Sequence, residues 1–313
     1  MILCVNANAA IDKTVIIDRF HLNEIHRPQG VISLPGGKGA NVAKALKRLG
    51  ETPLISGWLG GFNGRFIEAG LQADGIDTAF VYVDFESRTC LSILDPEEGT
   101  LTEIYERGDP IPAGKVEELE STFRRSVSTC SAVTLSGSLP LGVPADFYAR
   151  LTSIANEADV PVFLDSSGDA LKQGVEGGNP YLIKPNIKEF VELAGRKAEE
   201  LADPDELARL VVEVSTRHKT IIALSMGAEG VLVASGSETF RVAPPRTPIK
   251  SAVGSGDCLL AGITYGITHG FSLREAARYG AAAGTANALS VGAGMFSTDD
   301  FMHVLAQTEI IGC

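Results

Sequence analysis

Short apolar runs alternate along this chain with longer amphipathic stretches. The apolar runs predict strands at Ile2–Asn6, Pro53–Trp58, Ala132–Ser136, Val160–Asp165, Tyr181–Lys184 and Thr220–Ser225. The stretches between them predict helices such as Ala40–Leu49, Gly64–Ala73, Val116–Ser126, Ala145–Ala158, Ile187–Ala194 and Asp205–Thr216. Near-continuous apolar strands that alternate with helices are typical of a parallel sheet covered on both faces. We therefore predict an α/β fold with a mainly parallel central sheet.

Two regions, at about residues 13–34 and 80–106, break this alternation. Their strand-like runs have no helices between them and are Thr14–Ile17, Val31–Leu34, Val81–Asp84, Leu91–Asp95 and Leu101–Tyr105. We expect them to form a small second sheet, inserted into a single domain (1–313) and covering its site as a lid. A hairpin is also predicted at Val231–Val242, with its turn at Ala234–Ser237.

The chain is acidic, with 313 residues, a net charge of −12 and a sequence pI near 4.9. This charge argues against nucleic-acid or membrane-surface partners, and no apolar run approaches membrane-spanning length. The five cysteines are scattered without a CxxC pair, which favours a reduced, cytoplasmic compartment. An anionic ligand would need local cations in such a chain, so individual lysines and arginines are candidate ligand contacts.

The segment Ala252–Asp257 is the most informative motif, because two glycines flank a serine, an aspartate follows, and the apolar run Cys258–Ile267 then predicts a helix. Glycine amides and the unpaired donors of a helix start form a cradle for an anion such as phosphate. Asp257 is suited to accept a proton beside that anion. This combination favours phosphoryl transfer to a hydroxyl. The alternative is a tight turn before a core helix.

Other polar motifs follow predicted strands, where ligands collect in parallel sheets. The glycine-rich turn Gly36–Asn41 offers amides and a lysine, although Gly39 after Lys38 excludes a Walker A loop; the alternative is a helix cap with a solvated lysine. In Lys184–Glu189, the Asn and Glu three apart suit a hydrated Mg²⁺, or else form a capping box. Asp12 suits two sugar hydroxyls, or else serves as a loop or capping residue.

In this order, the motifs resemble the PfkB/ribokinase-like carbohydrate kinase family over essentially the whole chain. The signatures are Gly36–Asn41 and Val253–Asp257, with Lys184–Glu189 and Ser225–Gly230 between them. The resemblance implies a ribokinase-like three-layer α/β/α domain with a small β-sheet lid that often forms a dimer contact. The Gly-Gly-Lys-Gly run and Ser136–Pro140 favour the hexose-phosphate branch, which contains 1-phosphofructokinases and tagatose-6-phosphate kinases.

The resemblance also implies ATP and Mg²⁺ as cofactors, and fructose 1-phosphate or tagatose 6-phosphate as the substrate converted to a bisphosphate. Catalytic roles are expected for Asp257 and for the amides of Gly254, Ser255 and Gly256. Substrate contacts are expected from Asp12, Gly36, Gly37, Lys38, Asn41, Arg88, Ser138 and, from the same subunit or a dimer partner, Arg27. Nucleotide contacts are expected from Lys184, Asn186, Ser225, Gly227, Gly230, Ala281 and Thr285, with Asn186 and Glu189 near the metal.

Four alternatives stay open at this point. A fructose-6-phosphate kinase differs only in its substrate. A kinase for an unphosphorylated sugar or nucleoside would not need Lys38 and Arg88. A non-catalytic sugar-phosphate binder would not need an intact Gly254–Asp257 motif. A dinucleotide dehydrogenase would carry a GxGxxG run after its first strand, and this chain has none there.

Overall fold

The computed structural model describes residues 1–196, 203–236 and 238–312. Two sheets account for its strands. The main sheet contains β1 (Ile2–Asn6), β4 (Pro53–Gly60), β5 (Asp77–Thr78), β6 (Val81–Val83), β9 (Ala132–Ser136), β10 (Val162–Asp165), β11 (Leu182–Ile183), β12 (Ile221–Ser225), β13 (Val231–Ser235), β14 (Glu238–Ala243) and β15 (Glu309–Gly312). Its order is β15-β14-β13-β12-β11-β10-β9-β1-β4-β5, with β6 paired to β4. Pairing is parallel from β12 to β5 and antiparallel from β12 to β15.

Helices cover both faces of this sheet, as the alternating pattern predicts. In the described residues they are α1 (Lys38–Arg48), α2 (Gly61–Ala73), α3 (Ala113–Val127), α4 (Phe147–Glu157), α5 (Gly168–Gly178), α6 (Ile187–Leu193), α7 (Pro204–His218), α8 (Ser255–Thr268), α9 (Leu273–Ala288) and α10 (Thr298–Gln307). Successive side chains of a strand point to opposite faces. Ile2 and Cys4 accordingly pack with α1, α2 and α8–α10, whereas Leu3 and Val5 pack with α3–α7. The three-layer α/β/α arrangement is therefore confirmed.

The smaller sheet, called the lid below, contains β2 (Ala10–Ile16), β3 (Gly30–Gly36), β7 (Arg88–Asp95) and β8 (Thr100–Tyr105) in the order β3-β2-β7-β8. The run Val81–Asp84 was expected here, and that expectation is wrong, because β6 pairs with β4 of the main sheet. Asp12 was expected in a polar loop after β1 but lies within β2, where it pairs with Leu34 and Cys90. The lid thus starts earlier in the chain than its apolar pattern indicates.

Agreement between the other predicted elements and the structure depends on the strength of their hydrophobic patterns. The six strands predicted for the main sheet agree with the structure to within about two residues, whereas strands β5 and β15 and helices α5, α9 and α10 were not predicted. The hairpin forms from β13 and β14, and Ser237 of its predicted turn lies outside the described residues. Among the described cysteines, Cys4, Cys90, Cys130 and Cys258 are free and buried. In the described part of the chain, no helix combines the length and apolarity needed to cross a membrane.

Candidate active site

The motifs singled out above meet where the carboxyl ends of the parallel strands face the lid. β10 ends at Asp165, and Lys184 follows β11 directly. The amino ends of α1 and α8 contribute Lys38 and Asp257. Ion pairs join Lys38, Asp165 and Lys184, and Asn41 of α1 donates a hydrogen bond to Asp257. The two groups lie close enough for their charges to interact, and together they are called the cluster below.

The amino end of α8 has the backbone conformation that its glycines predict. Gly254 has a φ of +79°, and a Cβ added there would lie 2.4 Å from the Cβ of Ala293, so no larger residue fits without movement. The N–H of Ser255 donates to the carbonyl of Ala252 at 3.2 Å. The Ser255 amide, predicted to cradle an anion, therefore already has a partner in this state. Gly256, one residue further into the first turn, is the next amide in line for an anion.

Asn287, which sequence reasoning missed, anchors this loop from α9. Its side chain is fully buried, and its Nδ2 donates to the carbonyl of Val253 at 2.8 Å and to Ser255 Oγ at 3.2 Å. Its Oδ1 accepts the N–H of Gly294 at 2.8 Å. One amide thus ties two loops together, a role that an isolated Asn in an Ala-rich stretch does not reveal.

Asp257 lies in the first turn of α8 with only 5% of its surface exposed. Its Oδ2 accepts a hydrogen bond from Asn41 Nδ2 at 2.9 Å. Burial raises the pKa of Asp257 to about 6 and the neighbouring carboxylate of Asp165 adds to the rise, whereas Lys38, the Asn41 amide and Lys184 oppose it. A carboxyl with this pKa is ionised at neutral pH and readily protonated, which suits a general base.

Asp165 connects two lysines and was not among the predicted site residues. Its fully buried carboxylate has Lys38 Nζ at 2.9 Å from Oδ1 and Lys184 Nζ at 3.1 Å from Oδ2. Burial opposes ionisation, but the ammonium groups of Lys184 and Lys38 outweigh it and hold the pKa of Asp165 below its ordinary value. Burial alone would lower the pKa of Lys38, but Asp165 and Asp257 raise it above its ordinary value. The sequence feature that could have identified Asp165 is a charged residue at the end of an apolar strand.

The glycine-rich turn before α1 packs against Asn6 and Asp12. Asn6 Nδ2 donates to the carbonyl of Gly36 at 3.0 Å, and a Cβ at Gly37 would lie 2.5 Å from Asn6 Oδ1. A Cβ at Gly36 would lie 2.2 Å from Asp12 Cγ. Only glycines allow the backbone to approach these polar groups so closely. Burial raises the pKa of Asp12, with Lys44, the Gly37 amide and Arg88 opposing the rise.

Arg88 is the cation that the lid brings to this region. Its Nη1 donates to the carbonyl of Glu106 at 3.1 Å and its Nη2 to the carbonyl of Asn8 at 3.2 Å. Its buried Nε has no hydrogen-bond partner and its guanidinium forms no ion pair within the described residues, although it lies near enough to Asp12 to oppose the rise in the pKa of that carboxyl. Asn8 also donates to Ser138 Oγ at 3.1 Å, which links the predicted substrate residues on the two sheets.

Two further arginines lie near the lid, and a contact of Arg27 with the site of a dimer partner stays a prediction. Arg27 lies exposed between β2 and β3, and no hydrogen bond or ion pair in the described parts of the chain brings it to the cluster. Arg107 was not predicted, yet it lines the same cavity as Arg88. Its position after β8 gave no motif to identify it.

Most of the predicted nucleotide residues lie at the neighbouring strand ends, and two lie on a helix. Asn186 and Glu189 form a complete capping box, with the Asn186 N–H donating to Glu189 Oε2 at 2.8 Å and the Glu189 N–H to Asn186 Oδ1 at 2.9 Å. The Ser225 N–H donates to the carbonyl of Pro185 at 2.9 Å and brings the next motif alongside. That motif continues through two glycines with positive φ, Gly227 and Gly230. On α9, which packs against α8, lie Ala281 and Thr285.

Comparisons with known proteins identify the family and the fold of the chain. The family described as pfkB family carbohydrate kinase matches residues 5–299. A tagatose-6-phosphate kinase of Staphylococcus epidermidis is 33% identical over 312 residues, covering 99% of both chains. Phosphofructokinase-2 from Escherichia coli, solved with fructose-6-phosphate, is 27% identical with a TM-score of 0.90, covering 97% of this chain and 98% of that one. A possible 1-phosphofructokinase from Thermotoga maritima is 26% identical with a TM-score of 0.89, covering 100% and 99%.

Proposed function

The chain belongs to the pfkB family of carbohydrate kinases, and we propose that it transfers a phosphoryl group from ATP to a hydroxyl of a ketohexose phosphate. The carrying observation is the buried carboxylate of Asp257 in the first turn of α8, beside the ammonium groups of Lys38 and Lys184. A proton acceptor and a positively charged anion site are the two parts that this transfer needs.

In the proposed reaction, Asp257 accepts the proton of the attacking hydroxyl. The sugar oxygen forms a bond to the terminal phosphorus of ATP while the bond from that phosphorus to ADP breaks. The Gly256 amide and the two lysines stabilise negative charge on the transferring group, and Asn41 holds the Asp257 carboxylate in place through Oδ2. Because such transition states are loose, positioning and electrostatics supply most of the acceleration.

A magnesium ion, which kinases of this kind use, fits the donor set only as a largely hydrated ion. The described residues contain no cluster of three or more His, Cys, Asp or Glu side chains suited to hold a metal. Mg²⁺ keeps several waters in such sites, so Glu189 and Asn186 would face its water shell. When bound, Mg²⁺ neutralises charge on the nucleotide phosphates.

Glu189→Gln tests this assignment against a purely structural capping role. Glutamine retains an oxygen for the capping box but loses the charge, so we expect the melting temperature to change little. The Mg²⁺ concentration for half-maximal rate should rise about 10-fold, as is typical when an outer-shell partner is lost. Glu275→Gln, at the equivalent position of α9, is the matched control. An unchanged Mg²⁺ requirement would leave Glu189 with the capping role alone.

We propose fructose 1-phosphate or tagatose 6-phosphate as the substrate, and the tagatose-6-phosphate kinase relative supports the latter. Fructose 6-phosphate is the second candidate, because a structurally similar enzyme has been solved with it. An ADP-release assay with ATP and Mg²⁺ should compare these three phosphosugars with ribose. We expect one phosphosugar to exceed ribose clearly in kcat/KM. A preference for ribose would overturn the proposal.

The lid supports a further proposal, that two copies of this chain associate through it. The lid exposes large apolar side chains, with Val31 52%, Leu101 47%, Ile104 54% and Tyr105 55% exposed. These side chains lie on the two edge strands, with Val31 and Ile104 on one face of the sheet and Leu101 and Tyr105 on the other. Exposed apolar surface of this kind supports an interface. Ile104→Glu should therefore halve the mass measured by sedimentation equilibrium. Ile311→Glu, at a 44% exposed isoleucine of the main sheet, should leave it unchanged. A monomeric wild type would contradict the proposal.

A further inference from the structure

Asp165 is the most deeply placed charge of the cluster and has no role in the reaction described so far. It ends β10, is fully buried and pairs with one lysine on each carboxylate oxygen. Lys38 comes from the glycine-rich turn on the sugar side, and Lys184 follows β11 on the nucleotide side. The two pairs therefore join the sites proposed for the two substrates.

Lys184 lies beside the amino end of α8. A Cβ added to Gly256 would be 3.2 Å from Lys184 Nζ, and Lys184 is 4% exposed, so the ammonium group lies against the proposed anion site. Two ammonium groups brought to one small site repel each other unless an anion lies between them. Asp165 is the anion that contacts both.

The charge balance of the cluster changes during the proposed transfer. Lys38 and Lys184 carry two positive charges, and ionised Asp165 and Asp257 carry two negative charges, so the cluster begins neutral. When Asp257 accepts the hydroxyl proton, one uncompensated positive charge remains beside the transferring phosphoryl group. Asp165 stays ionised, because its lysines hold its pKa low.

We propose that Asp165 is a positioning residue for phosphoryl transfer, which holds Lys38 and Lys184 together at the amino end of α8 so that both face the transferred group. This inference rests on the proposed kinase function. It differs from a structural ion pair in two respects. Two ammonium groups share one buried carboxylate, and the positive charge that remains when Asp257 is protonated lies beside the transferring phosphoryl group. Loss of Asp165 therefore affects the transfer step more than the binding of either substrate.

Asp165→Asn is the principal test, because it preserves shape and removes the charge. We expect kcat to fall about 10- to 100-fold, the size expected for loss of charge-assisted contacts, with smaller changes in the two KM values. The acidic limb of the kcat profile should also move to lower pH, since the Asp165 charge raises the pKa of Asp257. The other groups that act on Asp257, and that the variant leaves in place, are Lys38, Lys184, Asn41, Lys44 and Cys258.

Asp95→Asn is the matched control. Asp95 also ends a strand, β7, is 2% exposed, and accepts the N–H groups of Phe20, Glu97 and Glu98 away from the cluster. We expect this variant to lower the melting temperature without moving the acidic limb. A purely structural Asp165 would behave like Asp95, and that result would overturn the inference.

Asp165→Glu covers the case in which Asp165→Asn does not fold. It retains the charge but displaces the carboxylate, so the acidic limb should stay near its wild-type position while kcat falls. A kcat equal to that of wild type would overturn the positioning role. Wild-type activity is measured first: failure of every phosphosugar in the wild type rejects the proposed function, whereas an active wild type with insensitive Asp165 variants rejects only this inference.

Discussion

Asp257→Asn is expected to lower kcat about 10²- to 10⁴-fold while leaving the KM for the phosphosugar within a few-fold of wild type. The carboxamide has nearly the same shape and can still contact Asn41, but it cannot accept the hydroxyl proton. The measurement is steady-state kinetics with the best phosphosugar, at pH 7 and saturating ATP and Mg²⁺. A variant that retains more than half of the wild-type kcat would reject Asp257 as the base.

The pH dependence provides a second readout for the same residue. Wild-type kcat should fall as the pH drops below about 6, because the raised pKa leaves Asp257 protonated there, and this limb should disappear in Asp257→Asn. The raised pKa also means that ionising Asp257 disfavours the folded state, a loss that develops between the ordinary value of 3.8 and about 6. The variant avoids this loss, so its melting temperature at pH 7 should not lie below that of wild type. A lower melting temperature would indicate that the kinetic defect results from instability of the variant.

The main sheet could be predicted from sequence because its strands are buried on both faces. Runs such as Ala132–Ser136 and Ile2–Asn6 are mostly apolar and buried at every position, and the observed strands have the same bounds. Lid strands are half exposed and their patterns are weaker. β2 begins at Ala10 and not at the predicted Thr14, although β8, which is exposed at every position, agrees with its predicted run to within one residue. β6, with two of its three residues buried, was assigned to the wrong sheet, because a hydrophobic pattern predicts a strand but does not identify the strand with which it pairs.

The site was predictable where its backbone conformation requires particular residue types, above all glycine. Glycines with positive φ or close neighbours identify the anion loop and the turn before α1, as Gly254 shows. Asp165 and Asn287 were missed because their roles depend on partners far away in sequence: Asp165 pairs with a lysine 127 positions earlier, and Asn287 bonds to Val253. Single residues without a local motif give no signal of such pairings.

Arg88→Ala is expected to raise the KM for the phosphosugar about 10- to 100-fold and the KM for ATP much less. The net charge of −12 repels a sugar phosphate, so local cations must overcome this repulsion. The Arg88 guanidinium donates only to backbone carbonyls, at 3.1 and 3.2 Å, and forms no ion pair with a carboxylate in the described residues. A guanidinium can grip phosphate with two parallel hydrogen bonds, worth about 1.5–3 kcal/mol, or one to two decades in affinity.

Arg124→Ala is the control for this prediction, because Arg124 lies on the exposed side of α3 and pairs with Glu157 at 2.8 Å. It should change neither KM value. Lys38→Ala separates the remaining alternatives, since Lys38 shares its charge with Asp165 but is also a predicted phosphosugar contact. The variant should lower kcat and also raise the KM for the phosphosugar, though by less than Arg88→Ala does. An unchanged phosphosugar KM in Arg88→Ala would make Arg88 a solvated lid residue. An unchanged phosphosugar KM in both Arg88→Ala and Lys38→Ala would favour a kinase for a neutral sugar, because neither cation would then contribute to binding a phosphate.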